Sequence, residues 1–546
     1  MTTVAQQIGT LLGQLGVGHA FGVVGSGNFH LTNALRTAGI AFTATRHEGG
    51  AATMADAYAR MSGQVAVVSL HQGCGLTNAA TGIGEAAKSD TPVLVLAAEA
   101  SRGAVHSNFA MDQTGFVTSL GADAHRVHSP ETAITDTLRA YRTAVRQRST
   151  VVLNVPLDVQ DAPAIGDITD LAVDEAPAQR PDHRSLGEFV ALLESSRRPV
   201  FLAGRGGRGA KSEIAALAQQ TGALLATSAV AKGLFNADPY SLGISGGFSS
   251  PLTAELVTDA DLIVAFGTAL NMWTMRGGKL IGPDTKIVQI DTNDAAIGAH
   301  RPVDLGVVAD AAATATDAMA TLASNQPDRY RTETVRQRIA TGARWDQTPT
   351  EDLSVPGELV DPREVTRRLN ELLPQQRVVS IDSGNFMGYP SQYLDVPDEF
   401  GFCFTQAFQS IGLGLYTALG AAFAQPDRLA VLGTGDGGFL MAVHELETAV
   451  RYRIPLVVLV YNDAAYGAEI HHFGADNDLD AVTFPDTDIA SIARGFGAEA
   501  ITVRDLTDLD EVSTWLDSSP SAPLVIDAKI ANDGGSWWLA EAFQGH

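Results

Sequence analysis

Two cysteines in 546 residues, Cys74 and Cys403, exclude a disulfide framework, and neither belongs to a CxxC pair that would mark a zinc site. Basic residues are scarce too. Lys and Arg number 37 against 62 Asp and Glu, for a formal net charge of −25. Nucleic acid and anionic membrane both demand basic patches, so neither is an expected partner. No apolar run approaches the ~20 residues of a membrane span. No basic and apolar leader precedes the first amphipathic pattern, so the expectation is a cytoplasmic protein. Short tandem repeats are absent. What remains is 45% hydrophobic and 18% charged, the balance of a packed soluble enzyme, and the length predicts about three domains.

Three stretches alternate short β-branched runs with helical patterns, which predicts α/β domains with mostly parallel sheets. The first spans 1–165, with strands at His19–Val24, Ala41–Thr45, Val65–Leu70, Pro92–Leu96 and Thr150–Val155. The second spans 185–325 and reads as a Rossmann-like middle domain. The third spans 360–530, and a tail, 531–546, carries Trp537, Trp538 and Phe543. That tail is expected as a terminal helix on the surface, with a lid over the site as the sharper alternative. Asp161–Arg184 and Asn325–Gly357 read as linkers. The first and third domains could be two copies of one architecture.

Chemistry concentrates in the third domain. Gly435-Asp436-Gly437-Gly438 closes one predicted strand, and Asn462-Asp463 closes the next. One helix and one return strand separate the two carboxylates, so both fall at the same edge of a parallel sheet, where such sheets bind ligands. A pair of carboxylates there suits a hard divalent cation. The glycines let a phosphate approach the helix N-terminus. Ser383-Gly384-Asn385, after the strand Val378–Ile381, offers a further small polar loop. In the first domain Glu48 stands where a strand gives way to a helix, in Thr45-Arg46-His47-Glu48.

Gly-Asp-Gly, a spacer and an Asn pair form the hallmark of thiamine diphosphate enzymes. The chain resembles, nearly end to end, the group of acetolactate synthase, benzoylformate decarboxylase and benzaldehyde lyase. The resemblance implies pyrimidine-binding, middle and diphosphate-binding domains, thiamine diphosphate, and Mg²⁺ on Asp436, Asp463 and the carbonyl of Ala465. It departs at one place: the family's second Asn is Asp463 here. Glu48 matches the family glutamate that activates the cofactor through its aminopyrimidine ring. Ile411, in Ser410-Ile411-Gly412, matches the bulky residue that bends the cofactor, and the carbonyl of Gln409 would hold its amino group. Gly435, Gly437, Gly438, Ser383, Asn385 and Tyr466 complete the implied cofactor contacts.

On the substrate side, Ser26 and His71 close two strands of the first domain and resemble the substrate-facing pair of benzoylformate decarboxylase. Glu469 stands where pyruvate decarboxylase has a proton-transferring glutamate, with His471 on the same segment. Gln113 is a further candidate contact. FAD, often held by the middle domain of acetolactate synthases, is left without support: Asn271-Met272-Trp273 stands near the place of their flavin-contacting run. The implied reaction is decarboxylation of a small 2-oxo acid, with aldehyde release or carboligation to a second carbonyl compound. Two alternatives stand beside it: a lyase cleaving a 2-hydroxy ketone or 2-hydroxyacyl-CoA, and a non-catalytic thiamine diphosphate-binding paralogue. An acyl-CoA substrate would need basic residues in the middle domain, where Arg205 and Arg208 form the obvious cluster. By analogy the assembly is a homodimer at least, and a tetramer is expected.

Overall fold

A computed structural model describes residues 1–168, 177–536, 539 and 541. Trp537, Trp538 and Phe543 lie outside the described residues. Three six-stranded sheets follow one another along the chain. The first holds β1 (His19–Gly22), β2 (Ala41–Ala44), β3 (Ala66–Leu70), β4 (Val93–Glu99), β5 (Asp123–Arg126) and β6 (Val151–Pro156). The second holds β7 (Pro199–Ala203), β8 (Leu224–Thr227), β9 (Ser241–Ile244), β10 (Leu262–Phe266), β11 (Lys286–Asp291) and β12 (Leu305–Val308). The third holds β13 (Arg377–Ile381), β14 (Phe402–Phe404), β15 (Leu429–Gly435), β16 (Leu456–Asn462), β17 (Glu499–Val503) and β18 (Leu524–Lys529). Every pairing among them is parallel. Central strands such as β3, β10 and β16 are buried along their whole length, which is why they read as unbroken apolar runs. Among the described residues, no helix is long and apolar enough to cross a membrane.

The outer sheets share one strand order, β2-β1-β3-β4-β6-β5 and β14-β13-β15-β16-β18-β17. The middle sheet runs β12-β11-β10-β7-β8-β9, the order of dinucleotide-binding sheets. First and third domains are thus two copies of one topology. They pack through α1 (Glu48–Ser62) and α3 (Gly414–Ala424), with α2 (Ala80–Lys88) beside α1. A single apolar cluster runs from Ala51 and Met54 to Leu415 and Leu419, so the two domains share a core.

The stretch Asn325–Gly357 is more than a linker. It holds a helix, Glu333–Gly342, capped by the Thr332 hydroxyl, whose Val335 and Ile339 pack on the middle domain. Arg205 and Arg208 face inward. Arg205 donates to the carbonyl of Ser89, and Arg208 to those of Arg60 (3.0 Å) and Val230 (2.5 Å). The two guanidinium groups of that cluster are engaged by backbone carbonyls, at Ser89 and Arg60 of the first domain and at Val230 of the middle domain.

Candidate active site

In the third sheet the chain leaves β13 toward one side and β15 toward the other, so a crevice opens between their C-terminal ends. Gly435 is in register with Tyr461, which sets Asp436 and Asp463 side by side at that edge. Asp436 opens helix α4 (Asp436–Ala442), and Glu469 lies in the first turn of α5 (Gly467–Phe473). Around the crevice lies an open cleft of about 470 Å³. Ser383, Asn385, Ile411, Gly435, Asp436, Gly437, Gly438, Asp463, Ala465, Tyr466 and Glu469 all line it.

Glycine is required in the cleft wall. A Cβ on Gly437 would lie 2.5 Å from the Tyr466 ring, and one on Gly438 2.5 Å from Asp382 Oδ2. Burial pushes the Asp436 carboxyl up to about 6. Enclosure by the cleft walls pushes Asp463 upward as well, and the neighbouring Asp436 charge adds to it. Two carboxylates that repel each other beside a carbonyl-bearing turn are a fitting donor set for a divalent cation. Among the described residues no group of three His, Cys, Asp or Glu side chains could hold a metal, so a cation here needs oxygens from its ligand too. Asn462 is not part of that set: it donates to Asp527 Oδ1 (2.8 Å) and accepts from the Ala464 amide (3.1 Å). Ala464 takes φ +54, an uncommon backbone state that turns Asp463 and Ala465 into the cleft.

Asp382, which motif reading missed, holds the loops of the cleft together. Wholly buried, it accepts from the amides of Ser383 (2.7 Å) and Gly412 (2.9 Å) and from Thr434 Oγ1 (3.2 Å). It thereby ties the Ser383 loop, the Ile411 loop and the strand before Asp436 to one point. Burial pushes its carboxyl up to about 6. Its only sequence signal is an acid at the end of a buried strand. Ile411 is 36% exposed, and Gln409 takes φ +58.

A second constellation gathers at the C-terminal edge of the first sheet. Glu48 begins α1, and its Oε2 accepts from Asn78 Nδ2 at 3.0 Å, a partner the sequence reading also missed. His71 Nδ1 contacts the Gln72 carbonyl at 2.9 Å, which places the proton on Nδ1 and leaves Nε2 facing Ser26 Oγ at a long 3.4 Å. A Cβ on Gly75 would touch His71 Cβ and lie 3.6 Å from Glu48 Oε1, so the two side chains are neighbours.

Gln113 sits elsewhere. It is 2% exposed, accepts from the Gly73 amide (3.0 Å) and donates to the Ala98 carbonyl and Asn154 Oδ1. Its amide is consumed in propping the His71 loop. His471 is turned against Gly535 of the tail. Ser536 meets the cleft rim, donating its amide to Asn385 Oδ1 (3.1 Å) and its hydroxyl to the Asn385 carbonyl (2.6 Å), and Glu541 pairs with Arg276 (2.6 Å).

None of the cleft-lining residues comes from the first domain. Within one chain the Glu48 constellation stands apart from the cleft lining.

Comparison with known proteins places the chain in a family. The N-terminal TPP binding domain of thiamine pyrophosphate enzymes matches residues 2–119, the central domain 186–318 and the C-terminal TPP binding domain 382–528. Sulfoacetaldehyde acetyltransferase of Alcaligenes xylosoxydans xylosoxydans is 28% identical over 536 residues, covering 90% of this chain and 87% of that protein. A Pseudomonas aeruginosa protein named as a 2-ketoarginine decarboxylase is 29% identical over 524 residues, covering 93% and 90%. Acetolactate synthase large subunit of Cyanidium caldarium is 26% identical over 507 residues, covering 89% and 85%. A solved structure from Mycobacterium smegmatis, described as a thiamin diphosphate-dependent enzyme, superposes with a TM-score of 0.81 at 22% identity, covering 96% of this chain and 98% of that one, which speaks to the fold. With all three of its domains matched in order, the chain belongs to the thiamine pyrophosphate enzyme family.

Proposed function

We propose that the protein decarboxylates a small 2-oxo acid and either releases the aldehyde or joins the product to a second carbonyl compound. Thiamine diphosphate, when bound, supplies a carbon nucleophile and an electron sink for the loss of carbon dioxide. Asp436, Asp463 and the Ala465 carbonyl would hold Mg²⁺, and the glycine-lined wall at Gly437 and Gly438 would lie beside the diphosphate. Ile411 and the Gln409 carbonyl would orient the ring that carries the amino group. Glu48 holds a proton at a ring nitrogen and favours the tautomer that can accept another. His71 Nε2, flanked by Ser26, and the Glu469 carboxyl move protons on the substrate side.

The observation that carries this reading is the Glu48 carboxylate. Its Oε2 is held by Asn78, and its Oε1 faces the Gly75–His71 side. A protein that merely bound the cofactor would have no use for that arrangement.

The Glu48 constellation and the cleft are two half-sites that meet when a second copy supplies the missing one. Exposed apolar side chains flank both: Ile411, Leu440 and Met441 near the cleft, and Val24, Phe29 and Phe109 near Ser26 and His71. We therefore assign a homodimer as the smallest active unit, with a tetramer compatible.

The substrate class is tested by incubating the protein with thiamine diphosphate, Mg²⁺ and a panel of 2-oxo acids, with and without acceptor aldehydes. Carbon dioxide release with at least one acid is expected. Cleavage of added 2-hydroxy ketones without carbon dioxide release from any acid would overturn the decarboxylase reading in favour of a lyase.

A further inference from the structure

We propose that Glu85 and Glu445 are reciprocal positioning residues, each reaching from its own domain to fix the backbone that presents the other domain's functional side chain. The inference rests on the roles given above to Glu48 and Ile411.

Glu445 belongs to the third domain, directly after α4, and is wholly buried. Its Oε1 accepts from the amides of Arg46 (2.8 Å) and His47 (2.9 Å), and its Oε2 from Thr448 Oγ1 (2.5 Å). Those two amides immediately precede Glu48, the first residue of α1. Glu85 belongs to α2 of the first domain and is equally buried. Its Oε1 accepts from the Ala407 amide (3.0 Å) and Arg60 Nη2 (2.9 Å), and its Oε2 from the Phe408 amide (2.6 Å). Ser89 Oγ adds a further bond at 3.2 Å. Ala407 and Phe408 lead straight into Gln409, with its φ of +58, and on to Ile411.

The chemistry matches on both sides. One carboxylate faces two consecutive amides of another domain, inside the protein, with a hydroxyl orienting it. Bonds to a charged acceptor are the strong kind, and amides stripped of that acceptor would be left buried and unpaired. The approach is also tight. A Cβ on Gly50 would lie 2.9 Å from Glu445 Oε1, and one on Gly84 2.9 Å from the Phe408 ring, so neither segment can shift and keep its packing. The exposed Arg46–Glu447 pair nearby is weak by comparison. A general stabilising role would need no such targeting of the residues just before Glu48 and Ile411.

The test is crosswise. In cofactor-free protein, amide hydrogen exchange is followed by mass spectrometry for residues 44–49 and 405–412. Glu445→Gln is expected to speed exchange of 44–49 by about tenfold while 405–412 stays unchanged, and Glu85→Gln to do the reverse, the scale of one lost charge-assisted bond. In loaded protein, proton exchange at C2 of the cofactor, read by NMR, should fall at least about tenfold in Glu445→Gln with cofactor Kd within threefold. Exchange changes confined to the substituted domain, or spread over the whole chain, would overturn the proposal. Unchanged C2 exchange in Glu445→Gln overturns it also, provided Glu48→Gln abolishes that exchange. Unchanged C2 exchange in Glu48→Gln itself defeats instead the functional reading on which the proposal rests. If a glutamine variant does not fold, Thr448→Val and Ser89→Ala remove only the orienting hydroxyl. The same crosswise pattern is then expected at about threefold, and its absence counts against the proposal.

Discussion

Glu48→Gln is expected to abolish turnover, by at least about a thousandfold, while cofactor affinity stays within roughly tenfold. The two side chains have the same shape, so α1 and its His47 cap are undisturbed. What changes is the charge at Oε1 and the ability to hold a proton at a ring nitrogen. On the proposed reading the metal and diphosphate are held in the third domain, whose cleft contains no first-domain residue, so binding is expected to be spared. Steady-state rates with an accepted 2-oxo acid and calorimetric titration with thiamine diphosphate and Mg²⁺ separate the two effects. Equal activity in the variant would end the mechanism. Equal loss of activity and binding would make Glu48 a structural residue.

Asp436→Ala is expected to do the opposite. Cofactor binding in the presence of Mg²⁺ should weaken by at least about a hundredfold, because a hard cation loses a buried anionic oxygen. The cofactor-free protein should not suffer. Burial raises the Asp463 carboxyl, and the neighbouring Asp436 charge adds to it. Removing one charge relieves the strain, so the melting temperature without cofactor should hold or rise. The stabilisation that cofactor and Mg²⁺ give to the parent should vanish with their binding. Asp463→Asn is the informative contrast. It keeps an oxygen donor and removes one negative charge near the diphosphate, so binding should stay within about tenfold of the parent. Thermal scans with and without cofactor, at matched Mg²⁺, decide both. Weakened binding in Asp463→Asn equal to that of Asp436→Ala would mean that the charge, rather than the oxygen, is the requirement.

The parts of the fold that could be read in advance were those buried on both faces. β3 and β13 fall within one residue of the runs expected, Val65–Leu70 and Val378–Ile381, because a buried, mostly apolar run between turn residues leaves little choice. The strands that escaped were edge strands: β5 is Asp123–Arg126, half-buried and polar, β9 contains a glycine, and β14 is three residues long. Their register comes from a neighbour, not from their own pattern. The helix Glu333–Gly342 was hidden in a polar stretch because only a few of its residues pack inward.

The site divides in the same way. Asp436 and Asp463 were visible because strand ends carry them to one edge. Glu48 was visible because a helix start carries it. Asp382, Asn78, Glu85 and Glu445 were not. Each works through a partner far along the chain, as Glu445 does through the amides of Arg46 and His47, and such a pairing leaves no local spacing to detect. Gln113 shows the converse. A polar residue near a motif looked available, yet every polar atom of its amide is engaged by the protein.

One chain's Glu48 is expected to serve the cleft of another. Mixing two inactive variants tests it most directly. Glu48→Gln and Asp436→Ala are co-expressed in equal amounts, and carbon dioxide release is compared with that of each variant alone. If the half-sites come from different chains, each mixed dimer contains one site with both Glu48 and Asp436 intact, and about a quarter of the parental rate should return. If both groups serve the same chain's site, every site stays defective, and mixed dimers that form without any recovered activity would contradict the account.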